Sequence, residues 1–148
     1  MQSLRLSRAW LACALLTCLL LATVTATANT ANQFNGYYDF SGVVEQGDTV
    51  QVTLHLRLFN HGNTDIKGVI VALVSQGPAM TFVGNFQPVK VWKKQQFVNM
   101  SQEFTISKAE FGLWNAAPAQ PNLFILFQDS TGKSWQKSAQ ISRRPLVK

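Results

Sequence analysis

Two histidines, seven carboxylates and one lysine–tryptophan cluster are the residues of this sequence best suited to chemistry. Histidine is the usual general base and a frequent metal ligand. His55 falls on the polar phase of an alternating segment, and His61 falls in the turn-rich run that follows. A zinc site built on them needs a third ligand, such as Asp48 or Asp65, and the spacing matches no zinc signature. The carboxylates are Asp39, Glu45, Asp48, Asp65, Glu103, Glu110 and Asp129. Hydrolysis by paired acids needs two of them at a set distance across a cleft. Most stand at turns or strand ends, where short polar side chains bond their own backbone. A Gly-x-Ser-x-Gly elbow and a P-loop are both absent. No catalytic residue, metal ligand or cofactor is therefore expected, and the chain reads as a non-enzyme.

The basic residues offer more. Lys90-Val91-Trp92-Lys93-Lys94 sets one indole among three lysines, and Arg143, Arg144 and Lys148 make a basic tail. A positive patch with an aromatic ring can hold an anionic polymer or lipopolysaccharide headgroups. Lys90, Trp92, Lys93 and Lys94 are thus the candidate ligand-binding residues, with Trp92 expected to be exposed. The competing expectation, and the favoured one, is an edge strand whose lysines discourage pairing with other chains. Trp92, Trp114 and Trp135 could instead form a sugar-stacking platform. Trp135, however, fits a core phase, and Trp114 is placed to plug the open end of a sandwich. Asn99-Met100-Ser101 matches the acceptor pattern for N-glycosylation, which matters only in a eukaryotic secretory pathway.

The elements that must position these residues are β-strands. Thr49 to Asn60 alternates strictly, with Val50, Val52, Leu54, Leu56 and Leu58 on one face and Gln51, Thr53, His55 and Arg57 on the other. That period of two marks a half-buried strand. Phe34 to Glu45 predicts an earlier strand, with Gly36 and Gly42 as places for an interruption. Ile66 to Ser75 is a near-continuous apolar run, which predicts a central strand covered on both faces. Further strands are expected at Thr81–Phe86, Val89–Trp92, Phe97–Ser107, Asn122–Gln128 and Ser134–Arg143. In the third of these, Val98, Met100, Phe104 and Ile106 share a phase that Gln102 breaks. Lys108 to Pro121 reads as loop with room for one helical turn. Asp129 to Lys133 reads as a hairpin loop, and Pro145 ends the pairing. About seven strands with turn signals every 8–12 residues favour an antiparallel β-sandwich. No βαβ alternation suggests a nucleotide-binding crossover.

The first segment is of another kind. Arg5 and Arg8 precede an apolar run from Trp10 to Val24, and Ala26-Thr27-Ala28 follows with the small residues that signal peptidase reads. This is the order of a cleavable signal peptide, and the run falls short of the roughly 20 residues of a spanning helix. Cleavage after Ala28 would leave 120 of the 148 residues and no transmembrane anchor. The net charge would fall from +6 to +4 as Arg5 and Arg8 leave. Cys13 and Cys18 would leave too, and with them any disulfide or thiolate chemistry. Hydrophobic residues make up 47% of the chain and charged ones 14%, a balance that excludes a disordered polyelectrolyte.

The stretch from Val52 to Leu73, with Asn60, Gly62 and Asn63 between two strands, resembles the bacterial immunoglobulin-like domains of the CARDB type. The hairpin from Phe127 to Trp135 is similar to the last hairpin of such domains. The resemblance implies an immunoglobulin-like sandwich over residues 29–148, after a signal peptide at 1–28, and carries over no functional residue. The expected role is that of an exported, non-catalytic binding or structural module in the periplasm or outside the cell. Its partner would be an envelope protein or a surface polymer, with nucleic acid excluded by export. The alternatives are a carbohydrate- or anionic-polymer-binding module, and then a small enzyme or enzyme inhibitor. A polar pocket near His55 or His61 would favour the enzyme. A long uncapped edge strand would favour protein association.

Overall fold

A computed structural model describes residues 33–77, 79–116 and 118–144. The expected signal peptide with its cleavage site, Pro145 and Lys148 lie outside the described residues. Nine strands and one helix are present among those described: β1 Phe34–Gln46, β2 Thr49–Asn60, β3 Ile66–Val74, β4 Phe82–Asn85, β5 Val89–Trp92, β6 Phe97–Ser107, α1 Lys108–Asn115, β7 Asn122–Gln128, β8 Ser134–Ser138 and β9 Gln140–Arg143. They form an all-β sandwich. One sheet has the order β6-β2-β1-β9, and the other β4-β3-β7-β8 with β5 also paired to β3.

β2 is central to the first sheet. Val50, Val52, Leu54, Leu56 and Leu58 are all buried, as the alternation predicts. β6 pairs with β2 without interruption from Thr49–Ser107 to Phe59–Phe97. β1 pairs along its other side, with a bulge between Ser41 and Val44. Gly42 supplies the left-handed conformation there, at φ 61°. Gly36 causes no break, but it lies so close to β2 that a Cβ would sit 2.0 Å from the Arg57 carbonyl oxygen. Across the core, Val69, Val71 and Leu73 of β3 and Leu123, Ile125 and Phe127 of β7 face the first sheet.

Two segments differ from the sequence reading. The closing segment is not one strand. β8 pairs with β7, then the Ala139 N–H bonds the Leu123 carbonyl at 3.1 Å, and β9 crosses to lie parallel to β1. The inward phase of Trp135, Ala139 and Ile141 survives the crossing, so alternation alone does not reveal it. The stretch after Ser107 holds two helical turns. The Ser107 hydroxyl caps them by accepting the Glu110 N–H at 3.1 Å.

The β7–β8 loop closes on one carboxylate. Asp129 Oδ1 accepts from the N–H of Thr131 and Lys133 and from the Thr131 hydroxyl, while Oδ2 accepts from Trp135 Nε1 at 2.7 Å. The side-chain bonds from Thr131 and Trp135 do most to hold its pKa down, at about 2.

Two outcomes are expected. Leu56→Ala should cost about 2–5 kcal/mol in chemical denaturation, and Arg57→Ala on the outer face should cost under about 1 kcal/mol. Equal losses would reverse the faces of β2. In a carboxyl NMR titration Asp129 should titrate near 2 rather than near 3.8. Because the folded pKa is the lower one, the stabilisation from this loop is complete above pH 4 or so and fades as pH falls toward 2. A midpoint near 3.8 would mean the loop hydrogen bonds are not formed.

Candidate functional site

The lysine cluster lies on an edge. β5 pairs only with β3, and Lys90, Lys93 and Lys94 are exposed. Trp92 does not join them, which corrects the expectation of an exposed indole. Its ladder partner is the buried Ile66, and opposed residues share a face, so the ring turns inward and is 1% exposed. It packs 5.2 Å from the Phe34 ring, and its Nε1 donates to the Gln96 carbonyl at 3.0 Å. The lysines therefore have no aromatic ring from Trp92 beside them.

The other tryptophans are also spoken for. Trp114 is buried at the opposite end of the core, as a plug should be. Its Nε1 donates to Glu110 Oε1 at 3.0 Å, and the same carboxylate accepts the Gln76 N–H. Tyr38 donates its hydroxyl to the Trp114 carbonyl at 3.1 Å, and burial pushes its pKa up. Trp135 is half-buried on the other sheet, with Lys133 Nζ 4.4 Å from its ring centre. The three indoles form no common platform.

The outer face of the first sheet brings together residues that the sequence left apart. Its register aligns Phe97 with Phe59, Asn99 with Arg57 and Tyr37, and Ser101 with His55 and Asp39. β9 adds Gln140 beside Asn35 and Ser142 beside Tyr37. The Phe59 ring lies 4.7 Å from Phe97 and 4.5 Å from His61, and the Arg57 guanidinium stands 4.4 Å from the Phe97 ring centre. Tyr37 is 47% exposed and Phe97 48%. Two shallow depressions meet at Tyr37. One, of about 510 Å³, is lined by Phe59, His61 and Phe97, and the other, of about 380 Å³, by Asp39, His55, Arg57 and Arg144. Arginine over an aromatic ring presents charge and apolar surface together.

His55 sits within this face. Its Nε2 lies 2.7 Å from the Ser41 hydroxyl and its Nδ1 2.8 Å from the Ser101 hydroxyl. A nucleophilic serine needs its histidine oriented by a third group, usually a carboxylate. Here both ring nitrogens are taken by hydroxyls, and Asp39 Oδ1 accepts the Phe40 N–H instead. Asp65, one proposed third metal ligand, accepts the Lys94 N–H at 2.9 Å. No group of three metal-binding side chains occurs among the described residues.

The aromatic row escaped the sequence reading, although a signal was there. Phe59 continues the outward phase of Gln51, Thr53, His55 and Arg57, and Phe97 that of Asn99, Ser101 and Glu103. An aromatic ring in a polar phase either lies open to solvent or awaits a partner.

No family model and no curated protein matches the chain. Among solved structures it is similar to an exo-β-N-acetylglucosaminidase of Vibrio harveyi, at 12% identity and a TM-score of 0.40 over 74% of this chain and 18% of that one. It is also similar to Northeast Structural Genomics Consortium target SoR45, at 4% identity and a TM-score of 0.39 over 77% and 88%.

The two roles of the basic segment separate by mutation. Trp92→Ala should cost about 3–5 kcal/mol, as loss of a buried ring does. Replacing Lys90, Lys93 and Lys94 with Gln should change stability by under about 0.5 kcal/mol each. Thermal and chemical unfolding check both, and a neutral Trp92→Ala would put the indole back on the surface.

Proposed function

We propose that this chain is an exported, non-catalytic binding module that holds an envelope protein or a surface polymer against the outer face of its first sheet. One observation carries the reading: three strands each place an aromatic ring on that face, and the register brings the rings beside Arg57. Single exposed apolar side chains are common on any surface, but rings that meet one another and an arginine form a contiguous patch. Rings and arginine are also the residue types that dominate binding surfaces. The hydroxyl-bound imidazole of His55 supports a positioning role over a catalytic one. The strand order, with β1 between β2 and a parallel β9, supports an immunoglobulin-like type of sandwich. The run from Arg5 to Ala28 supports a cleaved signal peptide and a place in the periplasm or outside the cell.

A second reading rests on the exposed Lys90, Lys93 and Lys94. Three cations along one edge can retain an anionic polymer, in a manner that salt screens over about 8–10 Å.

Retention on an immobilised envelope fraction and on purified lipopolysaccharide tests both. The Arg57→Ala/Phe97→Ala variant should lose most retention while staying folded, because both side chains are exposed. The triple lysine-to-glutamine variant should keep it. Loss in the triple variant alone, with release by modest salt, promotes the second reading. A wild-type chain that neither surface retains defeats both.

A further inference from the structure

We propose that two copies of this chain associate by antiparallel pairing of β6 with β6 about a two-fold axis through Gln102. The proposal stands independently of the ligand-binding reading. It begins with the edges of the two sheets. β4, β5 and β9 have four residues each and β8 has five, while β6 has eleven. Along β6 the ladder to β2 is unbroken, so alternate N–H and C=O groups turn away from β2. Among the described residues they have no backbone partner, and the Glu103 carbonyl is met only by the Gln102 side-chain amide, at 3.3 Å on an exposed edge.

Proteins blunt such an edge with Pro, Lys, a bulge or an inward-pointing charge. β5 has its lysines. β6 has no proline, lysine or bulge, and its single charge is Glu103, which points outward.

The pattern of β6 selects a second copy as the occupant. Opposed residues must share a face, so a two-fold axis passes through a residue and not between two. Through Gln102 it sets Val98 opposite Ile106 and Met100 opposite Phe104 on the core side. On the outer side it sets Asn99 opposite Thr105 and Ser101 opposite Glu103. Apolar meets apolar and polar meets polar in every pair but the outermost, Phe97 with Ser107, and all eleven residues are used. An axis through Glu103 would oppose two carboxylates, and one through Ser101 would set Met100 against Gln102. The choice also accounts for the one polar residue in the core phase of β6. Gln102 would face its own copy, where two amides can each donate and accept. Because the pairing keeps both outer faces on one side, the dimer would display two copies of the Tyr37–Arg57–Phe97 face in one eight-stranded sheet.

Disulfide trapping and sedimentation test the register. In the full chain with Cys13 and Cys18 replaced by Ser, Gln102→Cys should give a covalent dimer under copper–phenanthroline. Thr105→Cys, whose counterpart is Asn99, should not. By sedimentation velocity, Ser101→Glu sets like charges opposite each other twice and should weaken the dimer about tenfold. Ser101→Lys sets unlike charges together and should not weaken it, and the difference should shrink in high salt. A wild-type chain that stays monomeric into the high micromolar range overturns the proposal. So does equal cross-linking of the two cysteine variants, or a weakening of the dimer by both Ser101 variants alike.

Discussion

The backbone ladder of β2 with its two neighbours is the constraint on which the rest depends. One-residue slippage would turn every side chain of a strand to the other face. With five apolar residues committed inward on β2, no slip is tolerated. β1 and β6 inherit that commitment through the ladder, because opposed residues share a face. The outer face follows without further instruction: Tyr37, Arg57, Phe59 and Phe97 meet because the residues between them are buried. Outer face and core are two readings of one register.

A sandwich built this way is open at its ends, where the strands diverge. Each end is closed by an indole whose N–H must find an acceptor once buried. Trp92 finds the Gln96 carbonyl, in the turn that leads into β6. Trp114 finds Glu110, and that carboxylate also takes the Gln76 N–H, tying the short helix to the end of β3. Glu110 is the one buried carboxylate among the described residues, and its oxygens are engaged. Burying a charge without such partners would cost several kcal/mol, on the order of an entire core side chain.

Most strands were legible because one-sided burial leaves a period of two. β2, β5, β6 and β7 occupy the residues that the alternation and turn signals marked. Four features were not. α1 is only eight residues long and carries Gly112 among its helix formers Lys108, Ala109, Glu110 and Leu113, so it shows no sustained period, and its cap, Ser107 with Glu110 three residues on, was its clearest signal. The split at Ala139 is silent, since a strand that changes sheets can keep its inward phase. Trp92 was placed outward because lysines surround it in sequence. Its face is set by Ile66, a partner 26 positions away that only the register identifies. The outer aromatic row required three strands to be aligned before its members became neighbours.

The parallel pairing of β9 with β1 has a mechanical side. Tension applied upstream of Phe34 and downstream of Arg143 would draw these strands past one another along their own axes. The ladder from Asn35–Gln140 to Tyr38–Arg143, with the Arg144 N–H on the Tyr38 carbonyl at 2.8 Å, would then carry the load in shear, several bonds at once. A hairpin pulled at its open end yields one bond at a time. Moving the last strand from one sheet to the other thus converts a peeling joint into a lap joint.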